Sequence, residues 1–306
     1  MPLFTGVVPP VVTPLNPDFT VDYASFTRVL EHLLAGGVHG LFVLGSTSEV
    51  VFHDLATRRK IVEHALNVVN GRVPVLVGVI DPTTDRVIAH AREAKDLGAD
   101  AAVVTAPFYT RTNQAETLDH FRYVRDAVDL PLIAYDIPVC VGLKLERATT
   151  VALAREGTIV GLKDSSGDDG NLRYVLADMK EDKTFFGMTG SEIVVDSCLA
   201  MGAHGVVPGL ANVDPLGYVR LWNFMKAGDH AAARAEQERL CALFEIVWVS
   251  LGRTSAGSAG VGAFKTAMRS LGIIASNTMA RPQRALNESE TSRIDAILSA
   301  TGLMAK

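Results

Sequence analysis

The sequence predicts an α/β fold: a closed (β/α)8 TIM barrel followed by a C-terminal helical appendage. Two observations support this prediction. Short, nearly continuous apolar segments alternate with segments of helical periodicity, which indicates parallel strands covered by helices. Eight such units fit into about 225 residues, close to the roughly 250 typical of a closed barrel. An open, doubly wound sheet is the alternative, but it usually has fewer units and a glycine-rich dinucleotide fingerprint, which we do not find.

The periodicity also predicts the order of the elements. A proline-rich apolar stretch, Gly6 to Leu15, predicts a short first strand that runs into a loop. The remaining strands are predicted at residues 38–44, 73–80, 101–105, 130–137, 158–163, 184–188 and 205–207. Helices are predicted at residues 22–34, 55–69, 84–97, 114–127, 145–156, 171–180, 192–201 and 215–226. Helix-terminating glycines at Gly36, Gly98 and Gly202 precede three of the strands, as expected where a helix ends.

The strand pattern stops at Asp229. Helical periodicity continues beyond it, at residues 231–251, 263–271 and 288–298. A glycine- and serine-rich segment, Gly252 to Gly262, predicts a loop between the first two of these helices. The sequence therefore divides into a barrel that carries the active site, residues 1–228, and a C-terminal helical region, residues 229–306.

Composition restricts the class of partner. The chain has 306 residues and a net charge of -5, with no run of lysines or arginines, so neither nucleic acid nor an anionic membrane surface is expected to bind it. No apolar run is long enough to span a membrane, and no signal-peptide pattern opens the chain. The three cysteines are scattered, which suits a reducing compartment. We therefore expect a cytoplasmic protein that acts on a small molecule.

Lys163 is the residue on which the functional hypothesis depends. It ends a buried apolar strand and is followed by loop-forming residues. Lysine is rarely buried unless it is paired or functional, and a desolvated lysine can attack a carbonyl to form a Schiff base. A lysine that extends from the strand end into solvent is the ordinary alternative.

Other polar side chains are predicted at the same end of the barrel, where active sites of this fold lie. They are Ser46 and Thr47 after strand two, Tyr109 after strand four, Tyr135 in strand five and Glu192 after strand seven. A tyrosine hydroxyl can shuttle protons, and a serine–threonine pair with backbone N–H groups can bind a carboxylate. Each residue alone has a structural explanation, such as a helix cap or a satisfied interior hydroxyl. Their convergence favours Schiff-base chemistry.

No metal ion or other cofactor is predicted. A catalytic zinc needs about three converging ligands, and His53 is the only histidine expected near this mouth. His39 and His204 fall at strand beginnings, on the opposite face, where the expected role is stability.

Three motifs resemble those of the class I aldolases of the dihydrodipicolinate synthase / N-acetylneuraminate lyase superfamily. G-S-T-S-E at residues 45–49 resembles G-[ST]-T-G-E, and G-L-K-D-S-S-G at residues 161–167 resembles G-x-K-D-[ST]-[ST]-G. Y-D-I-P at residues 135–138, with Gly142, resembles Y-N-x-P-x-x-x-G. The motifs occur in the family order, and the resemblance extends over essentially the whole chain.

The resemblance implies roles for individual residues. Lys163 would form the Schiff base, Tyr135 would relay protons, and Tyr109 would enter the site of a neighbouring subunit in a homotetramer. The residues expected to contact the substrate are Ser46, Thr47, Ser165, Glu192 and Val207. The substrate itself would be pyruvate or another 2-oxo acid.

Departures from the family motifs bear on the second substrate. Dihydrodipicolinate synthases carry an arginine two residues after the motif proline, whereas this chain has Cys140, which cannot pair with a carboxylate. Sialic-acid lyases carry G-x-D-E after strand seven, whereas this chain has G-S-E at residues 190–192. Ser48 also replaces a usual glycine. We therefore favour a pyruvate-type Schiff-base lyase, an aldolase or dehydratase, acting on a 2-keto-3-deoxy sugar acid or a related compound. The alternatives are 4-hydroxy-tetrahydrodipicolinate synthase, N-acetylneuraminate lyase, and a catalytically silent barrel that binds a 2-oxo acid.

Overall fold

A computed structural model describes residues 3–304 and contains an eight-stranded parallel sheet surrounded by helices. The strands are β1 Gly6–Val7, β2 Leu41–Val43, β3 Val75–Gly78, β4 Ala101–Thr105, β5 Leu132–Asp136, β6 Gly161–Asp164, β7 Phe186–Thr189 and β8 Gly205–Val206. The helices are α1 Tyr23–Ala35, α2 Leu55–Val69, α3 Thr84–Leu97, α4 Gln114–Ala127, α5 Pro138–Val141, α6 Arg147–Arg155, α7 Asp169–Asp178, α8 Val195–Ala200, α9 Pro215–Ala227, α10 His230–Phe244, α11 Ala256–Ser270 and α12 Glu288–Ala300. No helix in this part of the chain is long and apolar enough to cross a membrane.

The sheet closes into a ring. Its strands lie in the order β1-β8-β7-β6-β5-β4-β3-β2, and every named pair is parallel. Between β1 and β2 the ring is completed by a parallel bridge from Pro10 to Phe42. There the Phe42 N–H donates to the Pro9 carbonyl at 2.9 Å, and the Val11 N–H donates to the Phe42 carbonyl at 2.8 Å. The predicted (β/α)8 barrel is confirmed.

The prediction of a loop at Gly252 to Gly262 holds for residues 252–255 and is wrong for the rest, because α11 begins at Ala256. Ser255 caps the helix by accepting a hydrogen bond from the Ser258 N–H at 3.3 Å. Glycine and serine are poor helix formers, but close packing requires small residues on this helix. A Cβ atom added to Gly262 would lie 2.8 Å from the Leu286 side chain.

Two other predicted helices have different bounds in the structure. The helix predicted at residues 192–201 begins only at Val195, because residues 190–192 continue as loop beyond β7. The helical stretch predicted at residues 231–251 ends as α-helix at Phe244 and continues as a 3-10 turn, Glu245–Trp248.

His39 and His204 make the same contact at the beginnings of two strands. The Nδ1 atom of His39 accepts a hydrogen bond from the Val7 N–H at 3.1 Å, and that of His204 accepts one from the Gly187 N–H at 3.1 Å. Burial lowers the pKa of both histidines, which keeps the ring nitrogens available as acceptors. Both residues join neighbouring strands, in agreement with the predicted structural role.

The C-terminal helices pack against the catalytic end of the barrel. Gln237 of α10 accepts a hydrogen bond from the Val195 N–H at 2.9 Å and donates one to the Glu192 carbonyl at 3.0 Å. Lys265 of α11 pairs with Glu49, in the loop after β2. The predicted division into residues 1–228 and 229–306 is a proposal about folding units.

His120 makes the stability of the fold sensitive to acid. It is 2% exposed on α4, and burial lowers its pKa to about 4. The unfolded chain therefore binds more protons than the folded one between pH 6.5 and 4, so stability is lost as pH falls through this range. We expect a change from pH 7.5 to 4.5 to remove about 2–3 kcal/mol of unfolding free energy through this residue. In urea titrations, His120→Asn should lack this part of the pH dependence, whereas the exposed His230→Asn control should keep it.

Candidate active site

Lys163 lies inside the barrel against two aromatic rings. It is 5% exposed, and its register partner on β5 is Tyr135. Its Nζ lies 3.8 Å from the centroid of the Tyr135 ring and 4.9 Å from that of Phe42. No carboxylate among residues 3–304 forms an ion pair with this amine. The lysine is held by aromatic faces, which leaves its nitrogen without a charged partner.

Tyr135 links Lys163 to the loop after β2. The Tyr135 hydroxyl lies 3.3 Å from the Ser46 Oγ, and its ring meets Phe42 edge-on at 6.2 Å. The tyrosine is buried, so its hydroxyl is confined to the bottom of the cavity described below. The structure thus brings together three residues that the sequence predicts in separate segments.

The loop that carries Ser46 and Thr47 is a tight turn. The Ser48 N–H donates to the Gly45 carbonyl at 3.1 Å, and the Glu49 N–H donates to the Ser46 carbonyl at 3.0 Å. Ser48 is buried, and its hydroxyl donates to the Val11 carbonyl at 2.5 Å. The backbone at Ser48 does not adopt a positive φ, so a serine fits where the resembled motif has glycine, and it anchors the loop to the segment after β1.

Glu192 follows β7 and faces the same space. One carboxylate oxygen accepts a hydrogen bond from the Leu210 N–H at 2.5 Å. Burial raises the pKa of Glu192 to about 7, and the Leu210 N–H and the charge of Lys163 act in the opposite direction. This carboxyl can therefore accept or donate a hydrogen bond near neutral pH.

Ser46, Thr47, Tyr135 and Glu192 line one cavity of about 650 Å³, whereas Lys163, against the Tyr135 ring, lines a small void of about 10 Å³ inside the barrel. Its polar side chains are Ser46, Thr47, Glu49, Thr105, Tyr135, Glu192 and Gln283. Cys140 and Val141 of α5 form part of its wall, and no lysine or arginine of the described chain lines it. Its outer wall comes from the C-terminal region, through Phe244, Val247, Trp248, Leu251, Val261 and Phe264. The sequence predicts only a packed appendage here, although the apolar residues from 243 to 251 exceed the needs of one helix face.

Three predicted residues lie elsewhere. Val207 lines the same small void inside the barrel as Lys163 and does not line the cavity. Ser165 does not line the cavity either. Its Oγ packs against Gly190 so closely that a Cβ atom added to Gly190 would lie 2.0 Å from it. Tyr109 is 102% exposed and has a left-handed backbone, with φ 63°, so within one chain it contacts none of the site.

A second layer of charged residues supports Tyr135 and Lys163. Asp136, next to Tyr135, pairs with Lys144 and accepts a hydrogen bond from the Leu145 N–H at 3.0 Å. Asp164, next to Lys163, accepts a hydrogen bond from the Ser166 N–H at 2.8 Å, and burial raises its pKa. Neither set of contacts is predicted from the sequence, although Asp136 stands where the motif has asparagine.

No group of three or more histidine, cysteine, aspartate or glutamate side chains within residues 3–304 has an arrangement that could hold a metal ion.

Comparison with known proteins identifies the family. A model described as the dihydrodipicolinate synthetase family matches residues 3–301. The chain belongs to this family. The family assignment makes the protein a barrel lyase, as the sequence predicts.

Relatives of the dihydrodipicolinate synthetase family carry two kinds of name. A 4-hydroxy-tetrahydrodipicolinate synthase of Hyphomonas neptunium is 32% identical over 301 residues, covering 98% of this chain and 99% of the relative. An uncharacterized DapA-like lyase of Halobacterium salinarum is 37% identical over 232 residues, covering 76% and 75%.

Solved structures of the family superpose closely on this chain. A prophage protein of E. coli K12 in complex with pyruvate has a TM-score of 0.92 at 27% identity, covering 99% of this chain and 100% of that one. Dihydrodipicolinate synthase of Bacteroides thetaiotaomicron has a TM-score of 0.92 at 32% identity, covering 98% and 99%.

Proposed function

We propose that this protein is a pyruvate-type Schiff-base lyase in which Lys163 forms the covalent intermediate. The observation that carries the proposal is the placement of the buried Lys163 Nζ over the Tyr135 ring, whose hydroxyl reaches Ser46 at the base of one cavity. Two structural relatives, the E. coli K12 protein and the synthase of Acinetobacter baumannii, were solved with pyruvate and support a 2-oxo acid as the substrate.

The chemistry begins at the ketone. Lys163 Nζ adds to C2 of the 2-oxo acid, and loss of water gives an iminium ion. In the cleavage direction the C4 hydroxyl loses its proton, the C3–C4 bond breaks, and its electron pair enters the iminium to give an enamine and an aldehyde. Protonation at C3 and hydrolysis then release pyruvate. A dehydratase would use the same iminium to expel water instead.

Tyr135 and its neighbours move the protons and hold the substrate. The Tyr135 hydroxyl, 3.3 Å from the Ser46 Oγ, is the group placed to carry protons to and from the reacting oxygens. Ser46 and Thr47 would bind the substrate carboxylate. Tyr109, fully exposed here, would complete the relay in a neighbouring copy within a homotetramer.

The second substrate is proposed to carry no charge at its distal end. The cavity wall holds Cys140 where a dihydrodipicolinate synthase has arginine, and Arg111 does not line it. Thr105, Glu192 and Gln283 are the groups available for hydroxyls, so a short 2-keto-3-deoxy sugar acid is the substrate that we propose. The names of the relatives favour a second candidate, 4-hydroxy-tetrahydrodipicolinate synthase. A sialic-acid lyase would carry two carboxylates after β7, and this chain has only Glu192 there. A catalytically silent binder would need no buried lysine.

Borohydride trapping tests the Schiff base. We expect pyruvate with borohydride to add one reduced pyruvyl group at Lys163, detected by intact mass and peptide mapping. An adduct on a different lysine, or none at all, would refute the proposed mechanism.

Replacing Cys140 tests the proposal about the second substrate. We expect Cys140→Arg to raise the ratio of kcat/KM for aspartate semialdehyde over a neutral hydroxyaldehyde by about 10- to 100-fold, because a charge-assisted pair is worth roughly 1.5–3 kcal/mol. Val139→Arg is the matched control, since Val139 is exposed and does not line the cavity. Efficient use of aspartate semialdehyde by the unmodified enzyme would instead establish the synthase.

A further inference from the structure

Glu49 and Lys265 form a fully buried pair behind the proposed carboxylate site. Glu49 is 2% exposed and Lys265 is 0% exposed. The Lys265 Nζ contacts one carboxylate oxygen of Glu49 and donates a hydrogen bond to the Thr278 carbonyl at 3.0 Å. The other carboxylate oxygen accepts a hydrogen bond from the Ala280 N–H at 2.7 Å. The C-terminal region therefore satisfies both oxygens of a residue that belongs to the loop after β2.

Glu49 is tied to the residues that would bind the substrate carboxylate. Its N–H donates to the Ser46 carbonyl at 3.0 Å, and its backbone is left-handed, with φ 58°. Glu49, Ser46 and Thr47 line the same cavity. A shift of the Glu49 side chain would therefore displace the turn that presents both hydroxyls.

The pair also neutralises the negative charge that Glu49 would otherwise present to an anionic substrate. A carboxylate that lines the cavity repels an incoming anion, and this repulsion is strong where water is scarce. Burial lowers the pKa of Lys265, and Glu49 raises it. Whether the proton resides on the lysine or on the carboxyl, the pair has no net charge.

We propose that Lys265 is a positioning residue of the pyruvate site: it neutralises Glu49 and holds the loop of Ser46 and Thr47 so that this loop accepts an anionic carboxylate. The inference rests on the proposed function, because it requires that these two residues bind the carboxylate of a 2-oxo acid. It assigns a substrate-binding task to a helix of the C-terminal region.

Lys265→Met tests the inference, because methionine has a similar length but no charge. We expect the pyruvate concentration that gives half-maximal borohydride adduct at Lys163 to rise about 10- to 100-fold, while the adduct level at saturating pyruvate stays near that of the wild type. Adding Glu49→Gln to this variant removes the unpaired carboxylate. In the double variant the pyruvate concentration for half-maximal adduct should return to within about threefold of the wild-type value, because no unpaired carboxylate remains.

The double variant separates positioning from mere stability. Arg253→Met is the matched control, since the Arg253–Glu290 pair also lies in the C-terminal region but neither of its residues lines the cavity, whereas Glu49, the partner of Lys265, does. If half-saturation is unchanged in Lys265→Met, or equally raised in the double variant, the inference is overturned. If Lys265→Met does not fold, Lys265→Gln, which can still donate to the Thr278 carbonyl, takes its place with the same two outcomes. Absence of any adduct in the wild type would refute the proposed function itself, whereas a wild-type adduct with unchanged half-saturation in the variants would refute only this inference.

Discussion

Lys163→Met is expected to abolish the borohydride adduct and to lower turnover on the order of 10⁶-fold, the scale seen when an enzyme loses its covalent nucleophile. The amine beside the Tyr135 ring is the group proposed to form the iminium ion, and methionine keeps the bulk between the Tyr135 and Phe42 rings. The measurement is a steady-state assay of aldol cleavage together with intact-mass analysis after reduction.

The control for this experiment is Lys183→Met, which removes an exposed lysine in the loop before β7, at the opposite end of the barrel, and should leave both turnover and adduct unchanged. Thermal unfolding of the Lys163 variant should match or exceed that of the wild type, because a buried amine without an ion-pair partner is costly to keep. Residual turnover within about 100-fold of wild type would show that the covalent route is not the main one.

Tyr135→Phe is expected to lower turnover by about 10²–10⁴-fold while the Lys163 adduct still forms, only more slowly. Phenylalanine keeps the ring that packs on Lys163 and Phe42, so the nucleophile stays in place. What is lost is the hydroxyl 3.3 Å from the Ser46 Oγ. The measurement is the rate of adduct formation by quenched reduction, compared with kcat for the complete reaction.

The matched control is Tyr123→Phe, on the exposed face of α4, which should have no effect on either rate. If turnover of Tyr135→Phe remains within a few-fold of wild type, the hydroxyl has no part in proton transfer. If the adduct also fails to form, Tyr135 acts in the first addition rather than in the later proton steps.

The strand positions could be predicted because buried parallel strands leave a strong signal. Residues 101–105 form a continuous apolar run between turns, and the predicted bounds match those of β4. The rule that active sites lie at strand ends then placed Lys163, Tyr135 and Ser46 together without any knowledge of distances. Their contacts in the structure agree with that placement.

The C-terminal part of the site could not be predicted in this way. Gly257, Gly260 and Gly262 indicate a loop by propensity, yet all three lie within α11, where Gly262 packs closely against Leu286, because tertiary contacts outweigh propensity. Lys265 lies within a helix whose register was unknown, so no local pattern could pair it with Glu49. Val207 and Ser165 were placed at the correct end of the barrel, but the direction in which each side chain points depends on strand twist, which the sequence does not reveal.

The Glu49–Lys265 contact joins residues 216 positions apart in the chain. A ribosome makes the loop after β2 early and α11 near the end, so every strand of the barrel has been synthesised before Glu49 can meet its partner. The unpaired carboxylate remains in water until α11 arrives, since burying it alone would be unfavourable. The loop proposed to bind the substrate therefore gains its last partner only when α11 is in place. A nascent chain that has completed only its barrel would carry Lys163, the proposed nucleophile, long before the loop proposed to hold its substrate is fixed in place.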